Sequence, residues 1–502
     1  MAFAAVTGLG GCGGSDNPPA APPAACSVAA QTGCAQGQQC MTGKDGNPAC
    51  FCSANANTGC AAGLECQVVA SGGADCFCSV DQQTGCESQP GLTCQPVLNG
   101  NSACFPPVSV DGQVFDLATQ KPIEGARVVA RDVNNASVSG VAVSDATGHY
   151  ELKVPAMHDA NGGLVSEQVL LRADAAGYLT FPRAPRVSLP VDVSKATGEP
   201  PVVQSSATDI ALIALPDTTG LGTVSGTVHA DAPRGTLVVA GSATGIADTD
   251  GSYTVFNVAA GSVQVSGYKA GLQLDHATAN VAAGQTTEHV DLNQTGAASS
   301  VVSGNVEIVN PGQGKDTSII LVVEDTFDQA VASGETPPGL RVGNVSGAWS
   351  IPNVPDGKYV VLAAFENDYL VRDPDTSIGG TSLVHVTVSG GNVPLSEGFK
   401  ITGSLDGVSP DAEQAVSGTP SFVWDDDAGE DHYTIVVFDA FGQLVWENDS
   451  VPGVSGSATV TVQYGGPALQ SGSLYQFRAT SIKKGGTPIS RTEDLRGVFL
   501  YQ

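Results

Sequence analysis

From Val108 onward the chain alternates apolar and polar side chains in short runs, and each run ends at glycine, aspartate or asparagine. A period of two is the pattern of a strand with one buried face, and those punctuating residues are the ones tight turns favour. In VDGQVFDLATQKPIEGARVVARD the pattern predicts a strand through Val110, Val114 and Phe115, a loop, and a return over Ala126 to Ala130. A second hairpin follows in VAVSDATGHYELKVP, where Asp145 to Gly148 supply the turn and Tyr150, Leu152 and Val154 point to one side.

The unit recurs. Gly226-Thr227-Val228 opens a second copy, and DTDGSYTVFNVAAGSVQVSGYKAGL repeats the turn, an aromatic at Tyr253, a second turn over Val258 to Gly261 and an alternating strand. Ser303-Gly304-Asn305-Val306 opens a third, with Trp349 where Tyr150 and Tyr253 stood and an insertion at FDQAVASGETPPGL. The copies are joined by short linkers, PDTTG (Pro216 to Gly220) and NQTGAASS (Asn293 to Ser300). From Ser404 the vocabulary changes: a strand ends at Trp424, an acidic turn follows, and strands run over Tyr433 to Phe438 and Leu444 to Trp446, with SGSLYQFRATSI and TEDLRGVFLY later. Helices are expected to be scarce.

The paired hairpins of Val108 to Pro216 resemble the carboxypeptidase regulatory-like domain, a small transthyretin-like sandwich, with AAGYLTF and ATDIALIALP fitting its later strands. The last segment resembles a fibronectin type III-like or Ig-like sandwich, with Trp424 as its core indole and Tyr475 as its corner tyrosine. The resemblance implies an all-β chain of tandem small sandwiches (transthyretin-like and Ig-like) behind a disulfide-rich repeat stalk. It divides the sequence into a leader remnant and tether (1–25), cysteine repeats (26–106), three regulatory-like sandwiches (107–217, 221–296, 300–402) and the fibronectin-like module (403–502). It brings no peptidase, because the regulatory-like domain is the accessory half of such enzymes and no H-E-x-x-H pair occurs.

All thirteen cysteines lie between Cys12 and Cys104. Twelve fall into three aligned segments: Cys26, Cys34, Cys40, Cys50; Cys52, Cys60, Cys66, Cys76; and Cys78, Cys86, Cys94, Cys104. Dense cysteine in a polar, glycine-rich stretch points to disulfides formed in an oxidising compartment, hence to export. Four cysteines per repeat allow three pairings, and the sequence chooses none. Zinc is disfavoured, since close C-x₂-C pairs are lacking and no histidine precedes His149.

The remaining cysteine, Cys12, follows Leu9-Gly10-Gly11, which resembles a bacterial lipobox. That resemblance makes Cys12 an acylated mature N-terminus, and Gly13 after it points to the outer membrane. Only eight residues precede Leu9 and none is basic, so a truncated signal is implied. Ser15 to Ala25, SDNPPAAPPAA, reads as a proline-stiffened tether. No later segment approaches the apolar length needed to span a bilayer.

Composition adds one exclusion. With Lys+Arg 21 against Asp+Glu 50 the net charge is −29, which repels phosphate backbones, so nucleic acid is not an expected partner. Asp425, Asp426, Asp427, Glu430 and Asp431 crowd one loop and are calcium candidates, although a solvated acidic turn is the simpler reading. Asp248-Thr249-Asp250-Gly251 starts like a calcium loop but position 259 is alanine. Gly8-x-Gly10-x-x-Gly13 matches a dinucleotide fingerprint only as a string, and the seven histidines are scattered. Tyr178, Tyr268 and Tyr369 fit core positions or a sugar-stacking platform. The expectation is a non-enzymatic, cofactor-free, lipid-anchored cell-surface protein that acts as a structural or adhesive scaffold, attached to the membrane through its lipid and meeting a glycan or surface protein. Two alternatives accompany it: a carbohydrate-binding surface lipoprotein, and an accessory subunit of a secreted hydrolase.

Overall fold

A glycine lies opposite an aromatic ring in the first strand of each repeated copy. In Val108–Asp116, Val110, Gly112 and Val114 share one face, and Tyr150 of His149–Val154 is the antiparallel partner of Gly112. Without a Cβ beneath it the phenol crosses the strand, and its hydroxyl donates to the Thr208 carbonyl at 2.5 Å. The second copy pairs Gly226 with Tyr253, whose hydroxyl donates to the Val290 carbonyl, and the third pairs Gly304 with Trp349. A Cβ on Gly112 or Gly226 would sit 2.1 Å from the carbonyl that crosses there, and one on Gly304 would sit 2.7 Å from the indole. Space, rather than unusual backbone angles, makes glycine obligatory at these positions.

The structure, a computed structural model, describes residues 26–502 except 55–57, 81, 99, 330, 364–366, 373–382, 397 and 455–457; Cys12 and the proline-rich tether lie outside the described residues. Each glycine-bearing strand has its antiparallel neighbour on one side and parallel returns on the other. These returns are Val202–Val203 and Ile210–Leu212, then Thr286–Thr287 and Leu292–Ala297, then Val393–Pro394 and Phe399–Gly403. The facing sheets also match in order. They run Ala142–Val143, Arg127–Arg131, Gln168–Asp174, Val191–Asp192 in the first copy and Ala243–Ile246, Leu237–Ala240, Gly261–Tyr268, Ala277–Val281 in the second. In the third they run Arg341–Val345, Thr317–Val323, Gly357–Ala363, Val384–Val388. Three sandwiches therefore share one topology.

Their central strands are buried on both faces. Thr317–Val323 has no exposed residue, and Ile320, Val322, Val360 and Leu362 form a second cluster behind the main core, with Phe327 of the insertion packed against it. Such strands lose alternation because another layer covers the side that would otherwise meet water. In the fourth sandwich the larger sheet runs Gln414–Val416, Val498–Tyr501, Leu474–Lys483, His432–Asp439, Leu444–Pro452, and the smaller pairs Ser421–Asp425 with Thr459–Gln463. Its core holds Phe422, Trp424, Tyr433, Phe477 and Phe499, all fully buried. The Gln470 N–H donates to the Tyr475 hydroxyl at 2.8 Å, closing a corner where that strand begins.

Two expectations need correction. The stretch expected as a linker, Asn293 to Ser300, is sheet over Leu292–Ala297, paired with Leu272–Leu274, and the next strand opens at Ser300. Backbone pairing needs no apolar side chain, so a small polar sequence hid a strand. Neither hairpin expected in the first copy forms: Val108–Asp116 pairs with His149–Val154, while Arg127–Arg131, which ends in a buried arginine rather than at Ala130, pairs with Ala142–Val143 in the facing sheet, so each turn crosses between the two layers. Helical structure among the described residues is two 3-10 turns, Val193–Lys195 and Glu324–Thr326.

The cysteine-rich segment is a run of hairpins: Gln38–Thr42 with Pro48–Cys52, and Leu64–Val68 with Ala74–Cys78. Disulfides join Cys26 to Cys40, Cys34 to Cys50, Cys52 to Cys66, Cys60 to Cys76 and Cys86 to Cys104; Cys78 and Cys94 are disulfide-bonded as well. The first two repeats thus pair first with third and second with fourth. Phe51, which follows the last cysteine of the first repeat, lies against Gly73 of the second, where a Cβ would come within 2.5 Å of the ring. The chain forms two compact units, Met1–Ser79 with Asn99–Ser102, and Val80–Leu98 with Ala103–Gln502, which divides the third repeat.

Replacing Gly226 or Gly304 with alanine is expected to lower unfolding free energy by about 2–3 kcal/mol in urea denaturation, as overpacking in a filled core does. Gly391→Ala, at a position with open space around it, serves as the neutral control.

Candidate functional site

The residues best placed to serve function sit where sandwiches meet. In Gln168–Asp174 every residue after Gln168 is buried, so Arg172 and Asp174, on the face away from their own core, are covered by neighbours. Arg172 is fully buried. Its Nε lies 2.7 Å from Asp174, one terminal nitrogen 2.8 Å from Glu335 of the third sandwich, and the other donates to the Thr244 hydroxyl of the second at 2.8 Å. Arg131 adds a contact to Glu335 at 3.4 Å. Burial alone would pull a proton from Arg172, but Asp174 and Glu335 outweigh it and hold the guanidinium charged. Two cations and two anions close the cluster.

Glu335 belongs to the insertion of the third copy. Its backbone is fixed by Val323 N–H to Glu335 carbonyl at 3.0 Å and Glu335 N–H to the Thr326 hydroxyl at 2.9 Å, and farther along Pro338 accepts the Ala270 N–H of the second sandwich. The insertion is therefore a strap across three sandwiches.

A second device repeats. Asn257 and Asn353 occupy matching places before the turns of FNVAAG and PNVPDG, both with positive φ, near 59°. Asn257 accepts the Gly177 N–H of the first sandwich at 2.8 Å and donates to the Ala175 and Tyr178 carbonyls. The Asn353 carbonyl accepts the Gly271 N–H of the second. Each asparagine thus receives the Ala-Gly loop of the sandwich before it. The first sandwich receives the third cysteine repeat instead: Gln95 accepts the Ala156 N–H at 2.7 Å, and Phe105 stacks on His158 with centroids 3.9 Å apart.

The fourth sandwich contacts both the third and the first. Lys195 meets Glu413 at 2.7 Å, Arg186 donates to the Phe441 carbonyl, and Leu474 and Val498 join the first core. A polar cleft of about 360 Å³ lies there, lined by Asp192, Lys195, Asn367, Asp411, Glu413 and Arg496. Its cations are already paired, Lys195 with Glu413 and Arg496 with Asp411 at 3.0 Å, and Asp192 accepts hydrogen bonds from Ser166 and Ser194. At the adjoining contact with the third sandwich, Glu493 accepts the Tyr369 N–H at 3.0 Å. Burial, reinforced by the Asp368 carboxylate, pushes the Glu493 carboxyl up to about 8, against the Tyr369 N–H and Arg496. Arg496 is drawn to Asp411 and stands off at 3.6 Å, so burial prevails.

The candidates named from sequence do not converge. Among the described residues, the groups of three or more His, Cys, Asp or Glu with ligand atoms close enough for a metal are all cysteines, whose sulfurs are already bonded in pairs. Asp426 accepts the Tyr433 hydroxyl at 2.7 Å and Asp427 that of Ser481 at 2.6 Å, so the acidic loop spends its oxygens on its own fold; Asp425, Glu430 and Asp431 complete no group with them. Asp248 accepts the Val141 N–H of the first sandwich, a docking role for the calcium-like turn. His229, His385 and His432 face separate carboxylates. His276 lies 3.0 Å from the Ser266 hydroxyl, but Ser266 is buried in a strand. Tyr268 packs edge-on to Tyr359 in the core, and Tyr178 is half-buried. Tyr369 is exposed rather than core, with the Arg496 guanidinium 5.4 Å over its ring.

No family model and no curated protein matches the sequence. Solved structures that overlap it include the Bacillus anthracis TIE protein (11% identity, 81% of this chain and 69% of that one, TM-score 0.16). A DUF3823 family protein from Bacteroides ovatus overlaps at 11% identity, 39% and 97%, TM-score 0.20, and BcpA, the major pilin subunit of Bacillus cereus, at 11%, 59% and 99%, TM-score 0.15. At such scores none of them carries an argument about this chain.

Arg172→Met strands Asp174 and Glu335 without their central cation and is expected to cost about 3–5 kcal/mol by chemical denaturation. A second expectation concerns pH. The Glu493 carboxyl binds its proton more tightly folded than unfolded, so its contribution is full below its ordinary 4.5 and is lost as pH rises through about 8. Glu493→Gln is expected to flatten this decline and to be the more stable protein at about pH 9, by a few kcal/mol; equal slopes in the two proteins would refute the assignment.

Proposed function

We propose that this chain is an exported surface scaffold, anchored by a lipid on Cys12, that holds a set of β-sandwiches in fixed relation to one another. The buried Arg172 cluster carries the reading. Three sandwiches contribute to it, and charges without water are lost unless every partner stays in place, so the sandwiches cannot drift apart at little cost. A scaffold needs that property, whereas a string of independent binding modules does not. Disulfide pairing throughout the repeats favours an oxidising exterior, which fits export.

Within this reading the segments are a tether (1–25), cysteine repeats (26–106), regulatory-like sandwiches (107–217, 221–296, 300–402) and a fibronectin-like sandwich (403–502). The buried Trp424 indole and the Tyr475 corner support the last assignment. The scaffold works without catalysis or cofactor, its membrane contact is the acyl group, and its destination is the outer membrane or cell surface.

Intact-mass spectrometry of the mature protein, with and without reductant, is expected to show acylation at Cys12 and all twelve repeat cysteines oxidised, and Cys12→Ser is expected to move the protein from the membrane fraction to the soluble one. Unchanged partitioning of Cys12→Ser would end the anchoring proposal.

A further inference from the structure

The two bridges of a repeat differ in the same way in the first and second repeats. Cys26–Cys40 and Cys52–Cys66 are buried at both ends, with exposures of 7%, 1%, 6% and 7%. In Cys34–Cys50 the second cysteine is exposed and the first half-exposed, and both ends of Cys60–Cys76 are half-exposed. A thiolate must reach a sulfur to exchange with it, and the departing cysteine must carry negative charge, which water stabilises and an apolar site does not. Access and leaving-group solvation therefore both favour the second-to-fourth bridge.

The buried bridge has supports besides the exposed one, although the Cys26 sulfur lies within 4.8 Å of those of Cys34 and Cys50. The Gln31 side chain donates to the Val28 and Cys40 carbonyls and accepts the Cys40 N–H, tying the first loop to the strand that bears the buried bridge. Gln38–Thr42 and Pro48–Cys52 are joined by their own ladder, with Cys40 opposite Cys50.

We propose that Cys34–Cys50 and Cys60–Cys76 are thiol-exchange sites for a neutral or cationic dithiol, while Cys26–Cys40 and Cys52–Cys66 are structural. The dithiol's thiolate attacks the Cys50 sulfur, forming a mixed disulfide as Cys34 leaves as a thiolate and takes a proton from water. The second thiol of the reagent then displaces Cys50, so the dithiol is oxidised by two electrons and the bridge reduced by two. Charge sets the preference among reductants, since a chain of net charge −29 repels an anionic thiol and added salt screens that repulsion. The assignment is independent of the lipid anchor.

The test treats the full-length oxidised protein with limiting dithiothreitol, traps thiols with iodoacetamide and maps them by peptide mass spectrometry. Cys34, Cys50, Cys60 and Cys76 are expected to be labelled roughly tenfold faster than Cys26, Cys40, Cys52 and Cys66. Simultaneous labelling of all four cysteines in a repeat, or earlier labelling of the buried pair, overturns the proposal. The rate is expected to rise with salt more steeply for glutathione, whose reactive thiolate form carries one more negative charge, than for dithiothreitol; equal salt responses overturn the charge preference. The Cys34→Ser/Cys50→Ser variant is expected to retain an intact Cys26–Cys40 bridge, and scrambling of that bridge counts against the division of roles.

Discussion

The Arg172 guanidinium is the contact on which the arrangement of the sandwiches turns. It leaves its own sheet on the side away from the core, where Asp174 is the carboxylate of the first sandwich that it meets among the described residues. Glu335 comes from the third sandwich and Thr244 from the second, so the strand that carries Arg172 is satisfied only when three bodies are assembled. A buried ionic cluster adds little net stability over an apolar interface of the same shape, because desolvation consumes most of the attraction. What it does supply is selectivity among arrangements. An apolar face tolerates sliding, whereas a guanidinium displaced by a few ångströms leaves buried charge unpaired.

Apolar contacts work with this charge pairing. Val129 of the first sandwich and Leu237, Val239 and Ile246 of the second belong to the same cluster as the core of the third. Strands that would be half-wet in isolation become two-sided, and this gives the interfaces their driving force. The asparagines then fix how the joints align: a positive φ at Asn257 turns its amide toward the preceding Ala-Gly loop, and Asn353 repeats the backbone geometry one sandwich later. Area, charge and hydrogen bonding thus divide the work between attraction, selection and alignment.

The local parts of this were legible in the sequence. Alternation located the strands of His149–Val154 and His432–Asp439, and the recurring turn-aromatic spacing placed Trp349 in the same structural position as Tyr150 and Tyr253. These features depend on neighbours a few residues away or on a repeated unit. The joints were not legible, because VLLRAD reads as an ordinary strand with a wet polar face, and the cover over Arg172 and Asp174 comes from residues far along the chain. The segment FDQAVASGETPPGL reads in the sequence only as an insertion in the third copy, yet Glu335 makes it the strap. One signal was present and unread: the Asn-Val pair before the turn occurs in both FNVAAG and PNVPDG, and a repeated asparagine where the chain needs positive φ marks a built joint.

The two units answer the cost of chain ordering in opposite ways. In the unit that starts the chain the apolar cluster is small, with Cys52, Cys66 and Ala74 as its buried members, so most of the constraint falls on the disulfides, which act by limiting the unfolded state. The larger unit keeps the Cys86–Cys104 bridge near its start, but no cysteine follows Cys104, and from there order rests on layered strands, glycine-aromatic crossings and shared charge. The first strategy withstands heat and denaturant but yields to reductant. The second, over the residues after Cys104, offers a reductant no bond to break but is sensitive to the loss of a single buried partner. A chain that carries both strategies separates its vulnerabilities by chemistry, since none of the contacts that hold Arg172 is a disulfide.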